Sequence, residues 1–147
     1  SHRERGYANG LAAAGLALNP DLIIRGDNSL QTGAAGLSHF LSLAEDRRPS
    51  AIACVSDLVA VGALNAAAAA GLEVGRELAV TGYDDSALAQ FLQPPLTSVR
   101  QPIAEVGRRL VMMLLSAIRG EQPDESGVLL RPELIVRRSS AGPVMEG

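Results

Sequence analysis

The sequence predicts an α/β fold: a parallel sheet with helices on both faces. Three observations carry this. Short apolar runs at 22–24, 51–55 and 78–81 alternate with longer stretches of helical spacing. Each helical stretch ends at a glycine or proline, and each apolar run opens into a polar loop. Strands that alternate with helices in this way form βαβ units with right-handed crossovers.

From residue 3 to 14 the residues Tyr7, Leu11 and Ala14 share a helical face, and Gly15 supplies a C-terminal stop. Asn19-Pro20 signals a turn, and Leu22-Ile23-Ile24 reads as a short buried strand followed by the loop 26–29. A second helix places Leu37, Phe40, Leu41 and Ala44 on one side, until Arg47, Arg48 and Pro49 break it. The apolar run 51–55 predicts a second strand. Ser56 or Asp57 then caps an alanine-rich helix over 58–70, closed by Gly71. Residues 78–81 form the third strand, 82–85 its C-terminal loop, and 96–99 an extended stretch after Pro94-Pro95. Pro102 opens a long helix through Ile118, whose Val106, Leu110, Met113 and Leu114 make one strongly apolar side. Gly120 ends it. The polar segment 121–126 leads to a closing extended run over 128–136, interrupted at Pro132.

The chain has 147 residues, 47% of them apolar, which suits one globular unit. A formal charge of -3 leaves no basic footprint for nucleic acid, so no direct DNA contact is expected of this segment. The single cysteine, Cys54, lies in an apolar run and reads as a small buried hydrophobe. No metal site or cofactor is expected, because His2 and His39 lack partners at ligand spacing. Neither a membrane span nor a signal peptide is visible, which makes the cytoplasm the expected compartment. The chain opens at Ser1 in a helical pattern without methionine, as a processed or truncated chain would. No phosphate-cradling Gly-Lys-Ser/Thr loop, dinucleotide glycine motif or Ser/His/Asp arrangement appears, so an enzyme is not expected.

Ligands of open α/β sheets bind beyond the carboxyl ends of the strands. The clusters 26–29, Ser56-Asp57 and 83–86 all follow predicted strands and should converge on one cleft.

Four segments carry a resemblance: Arg3-Glu4-Arg5-Gly6-Tyr7, the run 55–63 beginning Val55-Ser56-Asp57, Val80-Thr81-Gly82-Tyr83-Asp84-Asp85, and the run 94–102 ending Arg100-Gln101-Pro102. With Pro132-Glu133-Leu134-Ile135 and the following Ser139-Ser140, their order and spacing resemble the C-terminal half of the effector-binding region of lactose/galactose-repressor-type regulators. The resemblance implies a periplasmic-binding-protein-like C-terminal subdomain over 1–99. It implies a segment, 100–131, that returns to a mostly absent N-terminal subdomain, and a closing strand and tail over 132–147. It also implies transcription regulation by a small sugar-like or polyol-like effector, a homodimer, and operator contact only through an N-terminal head that this chain lacks. A periplasmic-type sugar-binding protein is the alternative.

By the same resemblance Arg3, Asn28, Ser56, Asp84 and Gln101 are the candidate ligand residues. A guanidinium fork at Arg3 can hold two oxygens, and a carboxylate at Asp84 can accept two hydroxyl hydrogen bonds. Ser56 stands where sugar binders of the family commonly carry asparagine, and could equally cap its helix. Asn28 departs from the family, several of whose members stack an aromatic ring there; an amide favours a polar ligand over a flat one. Arg5 and Asp85 are weaker candidates. The apolar helix over 58–70 and the 91–92 loop imply a two-fold interface, with Val61, Phe91 and Leu92 at the contact. The apolar side of the helix after Pro102 is expected to lie exposed in this chain.

Overall fold

The computed structural model describes residues 2–121 and 128–141. The polar segment 121–126, beyond its first residue, and the last six residues of the tail lie outside this range. In chain order the elements are α1 (His2–Ala13), α2 (Leu30–Ser42), β1 (Ala51–Ala53), α3 (Asp57–Ala69), β2 (Ala79–Tyr83), β3 (Thr97–Arg100), α4 (Ile103–Ile118), β4 (Glu133–Ile135) and α5 (Arg138–Ala141). The sheet order is β1-β2-β3-β4. The first two pairings are parallel, with Ile52 beside Val80 and Gly82 beside Ser98; β4 runs antiparallel to β3, pairing Glu133 with Arg100. Helices flank this sheet, as the α/β expectation requires.

The core forms where α3 meets β2 and α2. Val59, Ala60, Ala63, Leu64 and Ala67 of α3 are buried with Leu37, Cys54, Val80, Ala89 and Leu96. Alanine and glycine let the two helices approach to backbone contact. A Cβ at Gly33 would run into the Val59 carbonyl oxygen, and one at Gly62 into the carbonyl oxygen of Leu30. Ser29 caps α2 and Ser56 caps α3, accepting from Thr32 N at 3.1 Å and Val59 N at 3.2 Å.

Three expectations are corrected. Leu22-Ile23-Ile24 does not form a strand. The Asn19 side chain accepts from Asp21 N at 3.0 Å and Pro20 presets the turn, so Pro20–Leu22 winds into a 3-10 turn; Ile23 is extended, outside any strand. The helix after Pro102 begins one residue later, because Ile103 N bonds back to Gln101 O at 2.9 Å and Pro102 becomes the cap. Of the closing run 128–136, only Glu133–Ile135 joins the sheet, and the unexpected α5 follows it.

That short helix is stapled to the strands. Ser139, fully buried, donates to Val80 O at 2.6 Å and accepts from Thr97 N at 2.8 Å. Thr97 Oγ1 donates to Arg137 O at 2.9 Å and accepts from Arg137 N at 2.8 Å. The chain end therefore occupies polar groups at the start of β3 that would otherwise lack partners.

Candidate functional site

Three chain segments meet beyond the carboxyl ends of β1, β2 and β3, joined there by the first turn of α1. Arg3 reaches across from α1: its Nη1 donates to Val55 O at 2.6 Å, and its Cζ stands 4.0 Å from the Tyr83 ring centroid. Ser56 donates to Asn28 Oδ1 while capping α3, which ties the 26–29 loop to the end of β1. The structure thus has the Ser56 hydroxyl as the cap of α3, with its proton given to Asn28.

Asp84 and Asp85 follow β2 with φ of 105° and 48°, a backbone region that aspartate enters more readily than most residues. Consecutive left-handed residues turn their side chains to different tasks. Asp84 is exposed and accepts from Gln101 Nε2 at 2.8 Å, so the loop after β2 touches the crossover after β3. The Asp85 side chain is 4% exposed. It accepts from Arg100 Nε at 2.7 Å, and its Oδ1 stands 2.7 Å from Arg137 Nη1. The latter is an ion pair by proximity without hydrogen-bond alignment; the same Nη1 also donates to Leu96 O at 2.6 Å. Burial pushes the Asp85 carboxyl up, but Arg137 and Arg100 outweigh it and hold the group below its ordinary value.

Asp57 carries more of this region than its sequence reading as a possible cap foresaw. It is buried, accepts from Ser98 Oγ at 2.5 Å and from Ser86 N at 2.6 Å, and so locks the end of β3 and the loop after β2 onto α3. Its place after a strand, in the Ser56-Asp57 cluster, signals the cleft, but nothing local signals the partners Ser86 and Ser98. Tyr83, in the 83–86 cluster that the sequence places at the cleft, is the last residue of β2 and not part of the loop. Cys54 is buried, its thiol pushed up to about 12 by burial and then by Asp57, and offers no thiolate at neutral pH. Arg5 and His2 are exposed, and His39 sets its ring edge-on to Phe40 at 5.7 Å. Among the described residues no group of three His, Cys, Asp or Glu could hold a metal. No described helix is long and apolar enough to cross a membrane.

Two further surfaces adjoin the site. No residue of α4 is buried, and with the 128–132 segment it walls a groove of about 340 Å³ whose lining includes Tyr83 and Gln101. On α3, Leu58, Val61, Asn65 and Ala68 lie along one side and stay exposed or half-exposed. Phe91 is 73% exposed, whereas Leu92 is half-buried and packs on the core.

The arrangement of strands, caps and crossover is that of a periplasmic-binding-protein half. The profile of the periplasmic binding protein-like domain matches residues 1–140, and the chain belongs to that family. Its relatives are regulators of the lactose-repressor type. The chain is 36% identical over 139 residues to the helix-turn-helix transcriptional repressor CytR of Escherichia coli, covering 95% of this chain and 40% of the repressor. It is 37% identical over 138 residues to the ribose operon repressor of Haemophilus influenzae, covering 94% and 41%. Among solved structures, a LacI-family regulatory protein from Chloroflexus aggregans superposes with a TM-score of 0.88 at 40% identity, over 96% of this chain and 50% of that one. The regulator CelR, solved with cellobiose, gives 0.84 at 36% identity over 94% and 42%. The chain thus spans about two fifths of the length of its curated relatives.

Proposed function

We propose that this chain is the effector-sensing and dimerising part of a transcription regulator. It takes a sugar-like or polyol-like molecule beyond the carboxyl ends of β1 to β3, acts in the cytoplasm, and catalyses no reaction. Operator DNA is reached only through an N-terminal head outside this chain. The observation that carries this reading is the meeting of Arg3, Ser56 with Asn28, and Asp84 with Gln101 at neighbouring strand ends. These groups offer fork donors, a hydroxyl, amides and a carboxylate, a set matched to several hydroxyls and poorly matched to a flat apolar ring. Relatives named as repressors, and neighbours solved with cellobiose or sucrose, support it.

In this reading 100–131 belongs to a second subdomain whose remaining elements cover the apolar side of α4 and complete the ligand cleft. The exposed stripe of α3, Val61 within it, forms the contact with a second copy together with Phe91 and Leu92. An effector acts by binding one arrangement of the two subdomains more tightly than the other, and the difference passes to the DNA-binding head.

The test is Asp84→Asn in the full-length regulator. Loss of a charge-assisted acceptor costs about 2 kcal/mol, roughly thirtyfold in effector affinity, while operator binding without effector stays intact. The effector is first chosen by calorimetry from ribose, cellobiose and sucrose. An unchanged dose response in operator release would remove Asp84 from the site.

A further inference from the structure

We propose that Tyr83 is the positioning residue of the ligand cleft, holding the Arg3 guanidinium flat against its ring so that the fork meets a ligand already oriented. This rests on the reading of Arg3 as a ligand contact.

Arg3 needs such a support. It projects from the first turn of α1, a helix with no buried residue, so its own element does little to fix it. Its hydrogen bond to Val55 O fixes one nitrogen but leaves the guanidinium plane free to rotate about that contact. The ring face of Tyr83, 4.0 Å from Cζ, removes that freedom: a cation settles over the face of an aromatic ring, and a planar guanidinium lies against it. Four of the five N–H donors of the fork remain for ligand oxygens once Val55 has taken one.

The backbone that carries the ring is itself well anchored. Tyr83 is paired in register with Val99 on β3, and the next residue is Asp84, whose amide donates to Val99 O at 2.9 Å. The end of one strand therefore sets both charged groups of the cleft, the carboxylate directly and the guanidinium through a ring. An arginine that swings freely must be ordered when ligand arrives, and the free energy of ordering comes out of the affinity; one already stacked avoids that loss.

The role asks for a flat aromatic face and makes no use of the phenol hydroxyl. Tyr83→Phe should therefore bind as the wild type does, whereas Tyr83→Leu, which keeps bulk but loses the ring, should weaken binding roughly fivefold. The discriminating measurement is a double-mutant cycle in the full-length protein, by calorimetry with the tightest binder among ribose, cellobiose and sucrose as probe. Tyr83→Leu should cost nothing further in an Arg3→Ala background, because the ring then has no guanidinium to hold. If the loss persists in that background, Tyr83 acts on the fold or touches the ligand itself, and the positioning role is overturned. The same holds if Tyr83→Phe binds as poorly as Tyr83→Leu, or if Tyr83→Leu binds as the wild type while Arg3→Ala does not. Full binding by Arg3→Ala, or no binding of any of the three sugars, overturns the reading of the cleft itself and takes Tyr83 with it.

Discussion

At the scale of single residues, the Asp84-Asp85 pair shows how one loop divides two tasks. The sequence reading separated them, with Asp84 as the ligand candidate and Asp85 as turn chemistry. What it could not show is that Asp85 is buried between Arg100 and Arg137, because those partners come from β3 and from the chain end. No spacing rule connects positions so far apart. The pairing has a pH signature. Since the native pKa of Asp85 lies below its ordinary value of 3.8, the stability it contributes is complete above that value and is lost as pH falls through the lowered native pKa. Asp85→Asn should therefore destabilise the fold at pH 7, and the gap to the wild type should shrink on acidification below about pH 4. Thermal melts between pH 7 and pH 3 test this; a gap that stays constant would mean the carboxylate charge is not what holds the loop.

At the scale of elements, α1, α3 and α4 lie within a residue of where the sequence puts them, because their apolar periodicity and glycine or proline stops are local signals, whereas α2 ends at Ser42, short of Ala44. The strands were harder. Residues 22–24 have the composition of a strand, yet the Asn19 cap and Pro20 favour a turn that takes in Leu22, and no described strand pairs with what remains. The α5 staple was invisible for the opposite reason: Arg138-Ser139-Ser140 looks like an ordinary tail, and only tertiary contact shows Ser139 to be buried. The α2–α3 crossing yields a firm expectation. Gly62→Ala raises intrinsic helix propensity, by about 1 kcal/mol at most. It also drives a methyl group into the Leu30 carbonyl oxygen, which the helices can relieve only by parting. Overpacking of this kind costs about 1 to 3 kcal/mol, and backbone contact puts it at the upper end. Urea unfolding should show a lower midpoint, and an unchanged one would mean the helices separate without loss.

At the scale of the whole molecule, the surfaces left uncovered are where the proposed dimer is to be tested. The α3 helix is apolar nearly all round, and its own chain buries Val59, Ala60, Ala63, Leu64 and Ala67 but leaves the Leu58–Ala68 side open. Phe91, at 73% exposure, is the anchor by which the proposed dimer is best tested. Leu92 packs on the core, so a charge there would report on folding as well as association. Phe91→Asp should yield a folded monomer by light scattering at micromolar concentration, since an unpaired carboxylate in an apolar contact costs several kcal/mol. A folded dimer would place the contact elsewhere.

The pairing of β4 with β3 bears on how such a molecule moves. The chain leaves the sheet after Arg100 and comes back at Glu133, and these two residues face each other in the ladder, with Arg100 Nη1 and Glu133 Oε2 3.9 Å apart. In the two-subdomain reading proposed above, exit and return are two pivots set side by side, like the pair of pins on a door. A single tether would let α4 and its neighbours swing and twist in any direction; two adjacent ones resist twist and leave rotation about the line through both as the soft direction. In that reading, a small molecule that closes the mouth beside Asp84 and Gln101 acts along this one soft direction.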